Sequence, residues 1–209
     1  MLTTQRADRV VLHNLSWQQF ENILANLGDR RSARIAYYDH VLEIMTPLPE
    51  HEYFKEQISD AIKFIIYELD IDFECYGSST WKREMMQAGV EPDNCFYFQH
   101  EALVRGKLHF DLDKDPPPDL ALEVDLTSKS IPRLPLYARL GVPEIWQYED
   151  GVLTIYQLQQ GEYQTSPTSS IFPQLNILEL PQLIEQYRPQ GRRAFRQAVK
   201  EWIQTQIGQ

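Results

Sequence analysis

Apolar residues recur at intervals of three and four through Phe54, Ile58, Ala61, Ile62, Ile65, Ile66 and Leu69, with charged residues between them. That spacing predicts an amphipathic helix over 50–68, the strongest helical signal in the chain. A shorter helix is expected over 16–28. Ser16 and Gln19 have the spacing of a capping box, Phe20, Ile23, Leu24 and Leu27 form the apolar stripe, and Gly28 is the stop. The run 131–140 carries Leu134, Leu136, Tyr137 and Leu140 and ends at Gly141, with Pro135 marking where the regular helix begins. A terminal helix is expected over 191–206, where Ala194, Phe195, Ala198, Val199, Trp202 and Ile203 share one face.

Elsewhere the period shortens. Segments 33–38 and 41–45 flank Asp39-His40 and predict a hairpin with a tight turn. Short β-rich runs follow at 72–76, 79–83, 93–99, 119–125, 144–148 and 152–158. Strands preceded by one helix, crossed by another and closed by a hairpin indicate an α/β or α+β fold with a central mixed β-sheet flanked by helices. There are no internal repeats and no low-complexity linkers, so residues 1–209 read as one domain with the two end helices packed on it.

Composition then excludes some classes. No stretch approaches the roughly 20 apolar residues of a membrane span, and residues 1–6 lead into no signal-like apolar core, so a cytoplasmic protein with no membrane partner is expected. Cys75 and Cys95, each inside an expected strand, read as small buried hydrophobes rather than as a disulfide or zinc ligands. A formal net charge of -10 argues against DNA binding through a broad basic surface. It leaves room for a nuclease, because a metal ion at a carboxylate cluster inverts the local electrostatics. Basic residues could gather on one face from Arg30, Arg31 and Arg34, from Lys82 and Arg83, or from Arg188, Arg192, Arg193, Arg196 and Lys200. Scattered solvated charge is the alternative for each group.

Two proline-led acidic segments carry the candidate chemistry: Glu91-Pro92-Asp93 ahead of Asn94-Cys95-Phe96-Tyr97-Phe98, and Pro118-Asp119-Leu120-Ala121-Leu122-Glu123-Val124-Asp125. Side chains alternate along a strand, so Asp119, Ala121, Glu123 and Asp125 share one face while Leu120, Leu122 and Val124 turn to the core. Asp93, Cys95 and Tyr97 share a face in the same way. If the two strands are neighbours, Asp93 and Glu123 can share one or two hard divalent ions, Mg²⁺ or Mn²⁺. Such ions take carboxylates, waters and substrate phosphate oxygens and promote phosphodiester hydrolysis. An edge strand that presents its acids to water is the alternative.

The chain resembles the bacterial putative restriction endonuclease family, formerly a domain of unknown function, of the PD-(D/E)XK nuclease superfamily. The resemblance covers most of the chain. It rests on Leu42-Glu43-Ile44-Met45-Thr46-Pro47 leading to Pro49-Glu50-His51-Glu52, on Gly89-Val90-Glu91-Pro92-Asp93, on Pro117-Pro118-Asp119-Leu120-Ala121-Leu122-Glu123-Val124, and on Tyr137-Ala138-Arg139-Leu140-Gly141-Val142-Pro143-Glu144-Ile145-Trp146. It implies a restriction-endonuclease-like fold, metal binding by Asp93 and Glu123, a DNA substrate and a homodimer. The superfamily's lysine two residues beyond the glutamate is replaced here by Asp125. In the family that lysine is similar to one moved onto the next helix, four residues before the tyrosine, and the matching residue is Arg133. An arginine can orient water or neutralise a phosphate but cannot act as a base. Lys129 is a nearby cation that could substitute.

The other candidates each have two readings. His51 contacts the site or a phosphate, or is a polar residue at a helix start without chemical duty. Glu50 and Glu52 assist the site or only favour the helix N-terminus. Asp119 orients a metal-bound water or caps a strand, and Asp125 is a second outer candidate. His40, His100 and His109 have no metal-ligand spacing and read as structural or surface residues. For function, a Mg²⁺-dependent DNA endonuclease leads. The alternatives are a catalytically silent nucleic-acid- or protein-binding module of the same fold, favoured by the acidic charge and by Arg133, and a hydrolase of another phosphate ester.

Overall fold

A computed structural model describes residues 8–28, 33–125 and 130–208. After a first strand, β1 (Arg9–Leu12), the Ser16 hydroxyl accepts the Gln19 N–H at 3.3 Å and the Gln19 side-chain oxygen accepts the Ser16 N–H at 2.8 Å. This reciprocal cap satisfies two backbone donors at the start of α1 (Trp17–Leu27). The hairpin follows as β2 (Arg34–Tyr38) and β3 (Val41–Met45). Asp39 (φ 51) and His40 (φ 67) both take the left-handed conformation that a two-residue hairpin turn needs. Next comes α2 (Pro49–Glu68), with proline in the first turn, where its missing N–H has no partner to lose.

Four short strands, β4 (Glu74–Cys75), β5 (Trp81–Arg83), β6 (Ala88–Val90) and β7 (Asn94–Tyr97), lead to α3 (Glu101–Val104) and then β8 (Leu120–Asp125). A crossover helix, α4 (Arg133–Leu140), returns the chain to β9 (Glu144–Glu149) alongside β8 in parallel. Pro135 sits within the first turn of α4 and Gly141, at φ 81, ends it. A meander of β10 (Val152–Gln159) and β11 (Glu162–Ser166) precedes α5 (Leu180–Tyr187) and α6 (Arg192–Ile207).

The expected mixed sheet is present, with strand order β11-β10-β9-β8-β7-β4. Beside it lies an antiparallel sheet of order β1-β3-β2-β6-β5, so the 33–45 hairpin and the 79–83 strand belong to a second layer rather than to the central sheet. Burial explains the stacking. Leu120, Leu122, Val124, Trp146 and Tyr148 on one face of the mixed sheet pack against Phe54, Ile58, Ile62 and Ile65 of α2 and against α5 and α6. Cys95, Tyr97, Ala121 and Ile145 on its other face pack against α4 and against Ala36, Trp81, Ala88 and Val90 of the antiparallel sheet. Phe20 of α1 covers the outer face of that second sheet with Ile35, Tyr37 and Leu42.

Three of the C-terminal cations are occupied in this packing. Arg192 pairs with Asp60 at 2.6 Å, Lys200 with Glu68 at 3.0 Å, and Arg196 lies over the Phe64 ring, so they join α6 to α2. Among the described residues no helix is long and apolar enough to cross a membrane.

The seat of α1 depends on one small residue. A β-carbon at Gly89 would lie 3.1 Å from Phe20 Cζ and 3.3 Å from Lys82 Cβ. Gly89→Val should therefore push Phe20 out of its site and lower stability by about 1–3 kcal/mol, the usual range for overpacking. A thermal melt unchanged from wild type would contradict this.

Candidate active site

The two proline-led acids meet because β7 and β8 are antiparallel neighbours, with Asn94 opposite Leu122 and Cys95 opposite Ala121. Asp93 immediately precedes β7 and its N–H donates to the Leu122 carbonyl at 3.1 Å. The ladder stops there. The Val124 N–H, one strand step further, donates instead to Asp93 Oδ2 at 2.7 Å. A carboxylate thus replaces a missing strand carbonyl, which satisfies a buried backbone donor and fixes the side chain beside Glu123. Both acids are almost fully buried, Asp93 at 5% and Glu123 at 4% exposure.

Buried carboxylates need compensation. At Asp93, His51 of the first turn of α2 places Nε2 3.1 Å from Oδ2, and Arg34 of β2 places Nε 3.9 Å from Oδ1. The same two cations reach Glu52, Arg34 at 3.5 Å and His51 at 3.6 Å. Burial pulls the His51 imidazole down, but the Asp93 and Glu52 carboxylates outweigh it and raise it to about 9, so it is an imidazolium at neutral pH. The contact with His51, opposed by burial and reinforced by Lys55, lowers Glu52 to about 2.

At Glu123 the partners come from α4. The Tyr137 hydroxyl donates to Oε1, and Arg133 Nε lies 3.8 Å from Oε2. Burial first, then the charge of Glu123 and the bond to it, with Asp93 as a further contributor, raise the Tyr137 phenol well above its usual range. Tyr137 therefore remains a donor. Burial opposes the charge of Arg133, but Glu123 and Glu43 raise it above the ordinary arginine value. Arg133 stays protonated.

Sequence reasoning missed Glu43 as a site residue. At 0% exposure it accepts from Arg133 Nη2 at 2.7 Å and from the Ser130 N–H at 2.7 Å, and lies 3.4 Å from Arg9 Nε. Its signal was an acid in the middle of the apolar strand Val41-Leu42-Glu43-Ile44-Met45. Arg34, a candidate for a basic surface on sequence, instead turns inward to Asp93.

The remaining candidates separate. Asp125, buried at the end of β8, accepts from Gln147 Nε2 at 2.7 Å. Asp119 lies four residues before Glu123, roughly 13 Å along an extended strand. It accepts from the N–H groups of Phe98 at 2.7 Å and His100 at 3.1 Å and meets His100 Nδ1 at 2.6 Å, which are the contacts of a turn cap. Glu50 is exposed on the first turn of α2. Lys129, Arg30 and Arg31 lie outside the described residues.

Asp93 and Glu123 lie in a segment matched by a family model. The model is Uma2, described as putative restriction endonuclease, and it spans residues 17–190. The chain belongs to the Uma2 family. The Uma2 span takes in every site residue named above except Arg9. A crystal structure of a putative nuclease belonging to DUF820 from Anabaena variabilis ATCC 29413 shares the fold, with a TM-score of 0.53 at 13% identity, over 80% of this chain and 98% of that one. No curated protein matches the chain. In this Uma2 chain the mixed sheet and α4 therefore form a nuclease-like scaffold, and its open ladder end carries the buried acids.

The donor chemistry suits a hard divalent ion. Mg²⁺ is commonly held by one or two carboxylates with waters and substrate phosphate, so Asp93 and Glu123 are sufficient in kind. Among the described residues no group of three or more His, Cys, Asp or Glu side chains converges as a complete protein cage. Such an ion would keep open positions for water and phosphate.

Proposed function

We propose that the chain is a divalent-metal-dependent endonuclease that hydrolyses DNA phosphodiester bonds, with Asp93 and Glu123 holding Mg²⁺ or Mn²⁺. The observation that carries this reading is the pair of buried carboxylates fixed at the open end of the β7–β8 ladder, beside a protonated arginine. When bound, the ion supplies an activated water and neutralises charge developing on the phosphate. The chain's own groups do the rest. The Val124 N–H and the Tyr137 hydroxyl orient the two carboxylates. Glu43 holds Arg133 by Nη2, while Nη1 is buried with no hydrogen-bond partner among the described residues and can donate to a phosphate oxygen. Because Arg133 keeps its proton, it stabilises charge and takes no part as a base. In this reading Asp125, held by Gln147, accepts from a water next to Glu123, and Lys129 is a second cation for the phosphate. A homodimer, with one site for each strand, belongs to the same proposal.

Supercoiled, linear and single-stranded DNA and RNA should be incubated with Mg²⁺ or Mn²⁺ and with chelator. Cleavage that chelator stops is expected; intact substrates in every lane would remove the nuclease reading.

One observation favours a catalytically silent binding module instead. His51, Arg34 and Arg133 already compensate the two carboxylates, as a purely structural charge network would. Calorimetric titration separates the two readings, since a silent module gives no heat with either ion and keeps its partner affinity when Asp93 is replaced.

A further inference from the structure

A groove of about 550 Å³ opens next to the site, on the side of the antiparallel sheet. Arg34 belongs to both: it lines the groove and stands 3.9 Å from Asp93. Beyond Arg34 the walls carry Lys82, the exposed His109, the Ser78 hydroxyl and the half-buried rings of Tyr76 and Phe110. Lys82 Nζ is engaged by Glu21 at 2.7 Å, but both side chains are partly in water, and a pair this exposed is held weakly enough for another anion to compete. Tyr76 and Phe110 meet edge to face at 4.5 Å, giving a fixed aromatic wall.

Cations, a hydroxyl donor and aromatic rings lining one groove are the combination that receives a single nucleic-acid strand, phosphates on the cations and a base on a ring, and the Glu91 carboxylate that also lines it is occupied by the Ile35 N–H and the Thr80 hydroxyl. The volume lies in the range of sites for small molecules, which suits one nucleotide better than a base pair. We propose that this groove takes a nucleotide of the strand being cut, lifted out of pairing and adjacent to the phosphate at Asp93 and Glu123, so that unpaired DNA is the preferred substrate. The proposal rests on the nuclease reading of that site. Neither Lys82 nor His109 contributes to the acid cluster, so each can be changed without touching it.

The test is fluorescence anisotropy of the whole chain with a short labelled DNA strand, alone and annealed to its complement, in chelator so that nothing is cut. The unpaired strand should bind at least roughly tenfold more tightly than the duplex, as one stacked base allows. Lys82→Glu and His109→Ala should each weaken the unpaired strand several-fold, and Lys82→Glu should lower the salt slope by about one. Equal affinity for strand and duplex, wild-type affinity in both variants, or no binding of either DNA overturns the proposal. Strand preference without chelator-sensitive cutting keeps the groove and removes the nuclease reading. Cutting without strand preference does the reverse.

Discussion

Replacing Asp93 with asparagine is expected to abolish metal-dependent nicking of supercoiled DNA while leaving the chain folded. Asparagine has nearly the same shape, and its side-chain oxygen can still accept the Val124 N–H that Asp93 accepts at 2.7 Å. What it removes is the negative charge that faces His51 and Arg34 and would bind the ion. Loss of a group that merely supports a metal ligand lowers affinity or activity by roughly 10–100-fold. Loss of the ligand should exceed that. Glu123→Gln should behave alike, since it keeps an acceptor for Tyr137 and discards the second carboxylate. Purified variants with wild-type circular dichroism and undiminished, chelator-sensitive nicking would sink the metal assignment.

The elements that a local pattern can specify were legible. The capping box at Ser16, the helix over 50–68 and the hairpin turn at Asp39-His40 need only neighbouring residues, and α1, α2 and the β2–β3 hairpin follow them closely. Strand alternation likewise put Asp93 and Glu123 on faces that meet once β7 and β8 pair. Non-local pairing was not legible. The three-residue β6, Ala88-Gly89-Val90, shows no period of its own and becomes a strand by pairing with β2 far back in the chain. β1, β11 and α5 were missed for the same reason: short or exposed elements gain their form from what they pack on. The second sheet was therefore invisible, and with it the inward faces of Arg34 and Glu43. Asp119 illustrates the converse limit. Its place on the face of Glu123 was readable, but not the backbone N–H groups of Phe98 and His100 that engage it.

Replacing Glu43 with leucine should be the most destabilising single change in the site. Glu43 is fully buried and meets Arg133, which lies 90 positions away in the sequence. Removing one partner of a buried ion pair leaves the other charge uncompensated and typically destabilises by about 3–5 kcal/mol. Here the ion pair left to Arg133 among the described residues would be the longer one to Glu123, at 3.8 Å, and the Ser130 N–H would lose its acceptor. Glu43→Gln should be milder, because an amide oxygen can still take one of these donors. The decisive comparison is Glu43→Leu with Glu43→Leu/Arg133→Leu in urea denaturation. Removing both charges takes away the burden of a lone buried guanidinium, so the double variant should be more stable than the sum of the single losses. Additivity within about 0.5 kcal/mol would mean that the two side chains are not coupled. Coupling would instead make Glu43 the residue that holds the guanidinium beside Glu123, so Glu43 would act on phosphate chemistry without touching phosphate.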